Sequence, residues 1–71
     1  MTIQYNSETD LLYIRLDQKE HQVINKRVTD DIVLDMGAND QIIGIEILEA
    51  SKKVQLNELL PIQFQFEKTA P

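Results

Sequence analysis

The sequence predicts an α+β domain, an antiparallel β-meander of about five strands followed by one short C-terminal helix. Two observations predict this class. Apolar and polar residues alternate in short runs that polar turn segments separate, and this pattern takes on a helical period only after Ser51. The chain has 71 residues and no cysteine, so it forms one small domain whose core comes from aliphatic packing. We therefore expect a second copy or a partner to add to its stability.

Five strands are predicted, at residues 3–5, 11–16, 22–28, 32–36 and 41–48. Within the second strand, Leu12, Ile14 and Leu16 project to one face because side chains alternate along a strand. The Gly-Ala-Asn-Asp loop at residues 37–40 tolerates the left-handed backbone that a tight hairpin needs. The predicted core combines the aliphatic residues of the strands with three leucines of the helix: Ile3, Leu12, Ile14, Leu16, Ile32, Leu34, Ile43, Ile45, Ile47, Leu56, Leu59 and Leu60.

A helix is predicted over residues 52–60. Ser51 is a suitable N-cap, leucines follow at helical spacing, and Pro61 is a suitable stop. Residues 1–60 then form the single domain, and residues 61–71 form a C-terminal tail.

The tail alternates like a strand, with Ile62, Phe64 and Phe66 separated by two glutamines. It either closes the parent sheet or adds a strand to the sheet edge of another chain. These three residues are therefore the predicted association residues, and the expected assembly is a homodimer.

The formal net charge is −5, and its distribution is uneven. Residues 1–50 hold ten acids and four bases, whereas residues 51–71 hold two acids and three bases. The acidic region of residues 1–50 repels phosphates, so nucleic acids and anionic membranes are not expected partners. The negative charge is complementary to a basic partner protein. It is equally explained as a surface charge that keeps a small protein soluble. No apolar run has the ~20 residues of a membrane span, and the first residues lack signal-peptide features. We expect a cytoplasmic protein.

Few residues suit catalysis or metal binding. The one imidazole is His21, in a polar loop, and glycines are too few to cradle a phosphate. Four aspartates occur within eleven residues, but apolar strand residues interrupt them where a calcium loop would present oxygens: Asp30, Asp31, Asp35 and Asp40. A solvated turn explains them at least as well. No metal, cofactor or catalytic residue is predicted.

The second face of the predicted sheet carries a group of polar side chains. Tyr13, Arg15, Asp35 and Glu46 project together from it, beside Gly44. Glu46 interrupts an apolar run, where an acid is costly unless it is solvated or paired. Three interpretations stay open: an ion pair from Arg15 to Glu46 or Asp35, a binding patch formed by all four residues, and acid–base catalysis by the carboxylates.

Two motifs resemble a known family. Residues 5–16 read Tyr-x-x-x-x-Asp-x-Leu-Tyr-Ile-Arg-Leu, and residues 44–51 read Gly-Ile-Glu-Ile-Leu-Glu-Ala-Ser, with Leu34-Asp35 between them. From about residue 3 to 54, the chain resembles the small prokaryotic proteins of domain-of-unknown-function family 2283. Its members are often encoded beside small basic proteins that look like ribonuclease-type toxins.

The resemblance implies an antitoxin-like role, although this chain has no recognisable DNA-binding segment. The leading hypothesis is a non-enzymatic protein-interaction domain that binds a small basic ribonuclease-type toxin. The alternative is a small ligand-binding or hydrolytic domain that uses Tyr13, Arg15, Asp35 and Glu46.

Overall fold

A computed structural model describes residues 1–17 and 22–67, which form one five-stranded antiparallel sheet. The strands are β1 (Thr2–Asn6), β2 (Leu11–Arg15), β3 (Ile24–Arg27), β4 (Ile32–Met36) and β5 (Ile42–Ile47). An antiparallel sheet of five strands with one short helix is the predicted class. The strands lie within about two residues of their predicted bounds. His21 lies outside the described residues.

The strand order is β1-β2-β5-β4-β3. A hairpin, β1–β2, and a three-stranded meander, β3–β4–β5, join where β5 pairs with β2. The centre of the sheet is therefore β5, and the two edges are β1 and β3. A register shift between Asp35 and Met36 bends the β4–β5 pairing.

The sheet has two different faces, which the strand register defines. The polar face carries Gln4, Leu11, Tyr13, Arg15, Asn25, Arg27, Val33, Asp35, Gly44 and Glu46. The aliphatic face carries Ile3, Tyr5, Leu12, Ile14, Ile24, Lys26, Ile32, Leu34, Met36, Ile43, Ile45 and Ile47. No second sheet or long helix covers either face among the described residues.

The core is small. Leu12 and Ile43 are fully buried, and Val33 and Ala50 are buried beside them. Most of the other predicted core residues are half-buried, because a single layer cannot enclose both of its faces. The prediction was wrong for Leu16 and Leu60, which are exposed.

The predicted helix over residues 52–60 is also wrong. The structure has one α-helical turn, α1 (Ala50–Lys53), and a separate 3₁₀ turn at Leu56–Glu58. Extended backbone at Val54 separates them. The N-cap of α1 is Glu49, in a left-handed conformation, and not Ser51. As described below, a carboxylate from the β1–β2 turn binds the start of this helix and so shifts it toward the N-terminus.

Residues 62–67 belong to no helix or strand and are exposed. The tail therefore does not close the parent sheet through these residues, and pairing with another chain stays a prediction. The loop before β5 behaves as predicted, since Asn39 and Asp40 have left-handed φ angles of 57° and 59°. No helix in the described part of the chain is long and apolar enough to cross a membrane.

Candidate functional site

Three of the four predicted site residues meet on the polar face. Tyr13 lies opposite Glu46, and Arg15 lies opposite Gly44, across the β2–β5 pairing. On the other side of β5, Gly44 lies opposite Asp35. Because Gly44 has no side chain, the ring of Tyr13 can cross β5 toward Asp35.

Gly44 is a necessary part of this arrangement. A Cβ built at residue 44 would lie 2.5 Å from the Tyr13 hydroxyl oxygen and 2.7 Å from a ring carbon. The ring therefore occupies the space that any other residue would fill. Burial raises the pKa of Tyr13 first, and a side-chain hydrogen bond with Asp35 raises it further, while the positive charge of Arg15 opposes the shift. The Tyr13 hydroxyl is thus held protonated as a donor to Asp35.

Asp35 and Glu46 form a carboxyl pair. The hydrogen bond between them raises the pKa of Glu46, and burial and the negative charge of Asp35 act in the same direction. Two carboxyl groups bond in this way only when one of them holds a proton. In its protonated form, the Glu46 side chain can donate to the Asp35 carboxylate, as the Tyr13 hydroxyl does.

Asp35 is the buried centre of this cluster. It is only 8% exposed, and its Oδ1 atom has no hydrogen-bond partner among the described residues. A buried carboxylate oxygen without a donor carries a substantial desolvation cost. A buried polar atom of this kind is a candidate contact for a hydrogen-bond donor from outside the chain.

A depression of about 300 Å³ opens beside the carboxyl pair. Its lining comes from β3, β4, β5 and the strand ends: Leu11, Asn25, Arg27, Val33, Glu46 and Leu48. Glu46 lines this polar-face depression, whereas Asp35 does not. The Arg27 guanidinium donates to the Asp30 carbonyl oxygen at 2.6 Å, and its charge partly offsets the raised pKa of Glu46.

Arg15 lies on the same face, across Gly44 from Asp35. Its Nε atom donates to the Asp17 carbonyl oxygen at 2.9 Å, and its charge acts on Tyr13. The charges that act on Glu46 are those of Asp35 and Arg27.

The four clustered aspartates of the sequence do not form a metal centre. Asp35 points into the polar face, and the Asp31 carboxylate lies 3.1 Å from the Lys53 ammonium. The described residues contain no group of three or more potential ligands, counting histidine, cysteine, aspartate and glutamate.

Residues 2–51 match the profile of the family described as "Protein of unknown function (DUF2283)". The chain belongs to this family. The matched DUF2283 region holds all five strands and the whole Tyr13–Asp35–Glu46 cluster, while the C-terminal tail lies outside it. No curated protein and no solved structure matches the chain.

The DUF2283 motifs include a second cluster that sequence reasoning missed. Tyr5 donates its hydroxyl proton to Asp10 Oδ1 at 2.7 Å. Ser51 donates to the same side chain twice, from its N–H to Oδ1 at 3.0 Å and from its hydroxyl to Oδ2 at 2.7 Å. The Ala50 N–H also donates to the Asp10 carbonyl oxygen at 2.9 Å.

This Asp10 anchor joins the two ends of the DUF2283 match. The hydrogen bonds from Ser51 and Tyr5 lower the pKa of Asp10, and the bond to Asp10 raises the pKa of Tyr5. The first motif contains Tyr5 and Asp10, and the second contains Ser51. Nothing in the spacing pairs them, because 41 residues separate Asp10 from Ser51. The cluster is exposed, and its bonds hold α1 against the β1–β2 turn.

Proposed function

We propose that this protein is a non-enzymatic protein-interaction domain that binds a basic protein through its polar face, in an antitoxin-like role. The observation that carries the proposal is the buried Asp35 carboxylate, whose Oδ1 atom lacks a donor among the described residues. A lysine or arginine of a partner supplies the donors that such a group needs.

The local geometry supports a cationic side chain as the group that binds. Glu46 lines the polar-face depression, so an incoming ammonium or guanidinium group contacts it first. The cation stabilises the charged form of Glu46 and so opposes the rise in pKa that Asp35 causes. The negative charge of the chain would steer the encounter.

The antitoxin-like part of the proposal depends on the family. The resemblance implies neighbouring genes for small basic proteins of the ribonuclease-toxin type. A chain with a formal net charge of −5 is electrostatically complementary to such a protein.

The test is a binding titration between the full chain and the small basic protein encoded beside it. Glu46→Gln removes the charge in the depression and should weaken binding by about tenfold or more. Glu58→Gln, an exposed site on the Leu56–Glu58 turn, removes the same charge elsewhere and should leave the affinity nearly unchanged. Raising the salt from about 0.05 M to about 0.5 M should weaken the wild-type complex.

Absence of a complex, or equal affinities for the two glutamine variants, would contradict binding at the polar face. A complex that is equally tight at both salt concentrations would contradict steering by charge.

The same cluster supports a second candidate, a small ligand-binding or hydrolytic domain that uses Tyr13, Arg15, Asp35 and Glu46. The observation in its favour is the hydrogen-bonded pair of Asp35 and Glu46, in which the pKa of Glu46 is raised, because such a carboxyl group suits general acid–base chemistry. Its test is hydrolysis of p-nitrophenyl esters and phosphodiesters by wild type, Glu46→Gln and Glu58→Gln. Turnover that only Glu46→Gln abolishes would favour this candidate, and equal background rates would exclude hydrolysis of these substrates.

A further inference from the structure

The aliphatic face of the sheet is incompletely covered. On this face, Ile24 is 71% exposed. An apolar sheet face of this kind is normally buried against a second layer.

The charges show which surface can meet a second copy. Within the five described strands, the only acids are Asp35 and Glu46, and both lie on the polar face. Two copies that each carry a charge of −5 repel one another unless their contact surface is free of acids. The aliphatic face meets this condition, and its one charged strand residue is Lys26.

The C-terminal tail begins at the rim of the same face. Leu56, Leu59 and Ile62 line a groove of about 400 Å³ together with Ile3 and Met1, on the β1 side of the sheet. Beyond this C-terminal groove, Phe64 is 88% exposed and Phe66 is 79% exposed. The chain therefore has two exposed phenylalanines that follow the residue at the rim of this groove, Ile62.

We propose that a second copy of this chain covers the aliphatic face, with Ile62, Phe64 and Phe66 of each copy packed on the aliphatic face of the other. A stable dimer buries about 800 Å² on each partner. A buried phenylalanine accounts for about 150–250 Å² of such an area, and each copy would contribute two. Face-to-face packing at about 10 Å would turn the single sheet into a sandwich.

The site of this contact is opposite to the polar face, so self-association and partner binding are independent. Tail variants should change the dimer without changing the Glu46-dependent binding. Failure of one proposal would leave the other standing.

Sedimentation equilibrium of the full chain over about 1–100 µM tests the dimer. The wild type should be dimeric at ~10 µM. Phe64→Ser with Phe66→Ser should raise the dissociation constant by about tenfold or more. Gln63→Ser with Gln65→Ser alters the intervening tail positions and should leave the constant unchanged. All four residues are exposed, so neither double variant should disturb the fold.

The face itself is tested by two adjacent residues of the edge strand β3. Ile24→Lys places a charge on the aliphatic face and should shift the equilibrium toward monomer, whereas Asn25→Lys places the same charge on the polar face and should not. A wild-type chain that stays monomeric throughout the range would overturn the proposal. So would a dimer that resists the phenylalanine changes, or one that Ile24→Lys and Asn25→Lys affect equally.

Discussion

The two faces of this sheet bury their side chains in different ways. On the polar face, Tyr13 crosses Gly44 and covers Asp35, so local side chains bury a carboxylate without a second layer. On the aliphatic face, Leu12 is fully buried, but Leu34 and Ile45 stay partly exposed and Ile24 mostly so. In a small single-sheet protein, burial therefore depends on which side chains can lie across their neighbours, and less on hydrophobicity alone.

The largest effect is expected at the aliphatic core. Leu12→Ala removes a fully buried side chain from a central position and should lower the free energy of unfolding by about 2–5 kcal/mol. Ile24→Ala, on the same face but mostly exposed, should cost about 0.5 kcal/mol or less in the monomer. Urea denaturation at low protein concentration measures both. Similar losses at the two positions would show that burial does not decide stability on this face.

A smaller effect is expected where Tyr13 crosses the polar face. Gly44→Ala places a methyl group against the Tyr13 ring and should lower stability by about 1–3 kcal/mol, partly offset by the better strand propensity of alanine. The displaced ring should lose its bond to Asp35, so its pKa should return toward the ordinary tyrosine value in a spectroscopic titration.

The control for this substitution is the Tyr13→Ala background, where the added methyl group meets no ring. Gly44→Ala should there be neutral or stabilising. An equal loss in both backgrounds would mean that the close approach of Tyr13 is not the cause.

The smallest effect concerns the proton of the carboxyl pair. The pKa of Glu46 is raised in the folded state, so the folded chain binds more protons than the unfolded chain above the ordinary value of 4.5. The contribution of Glu46 to stability is therefore complete below that pH and is lost as pH rises through the raised value. Glu46→Gln keeps a donor toward Asp35 at every pH and should stabilise the chain near neutral pH by up to about 1 kcal/mol.

Urea midpoints measured below pH 4.5 and near neutral pH check this sign. The advantage of Glu46→Gln over wild type should grow with pH, while Glu58→Gln should show no such trend. An advantage that shrinks with rising pH would contradict the shared proton.

Much of the local structure could be predicted from the sequence. The alternation of residues 11–16 and the polar loop before β5 identify strands and turns correctly, because both signals are local. The order of the strands could not be predicted, since the pairing of β2 with β5 joins distant parts of the chain. The predicted helix was misplaced for the same reason: its start depends on Asp10, which is far away in the sequence.

Some features of the candidate site could also be predicted from the sequence, and others could not. Alternation places Tyr13, Asp35 and Glu46 on one face, and so their association could be predicted. Arg15 shares that face, but the register puts it opposite Gly44 and gives Glu46 another set of neighbours. The raised pKa of Glu46 depends on this register, which the alternation pattern does not contain.

The Asp10 anchor has a consequence for protein engineering. It fixes the start of α1 on the sheet through residues that all lie within the family match, so the chain that follows Val54 leaves the domain from a defined point. Different C-terminal segments could then be grafted after that residue onto an unchanged sheet. The domain would serve as a platform whose attached segment is exchanged while its polar face is kept.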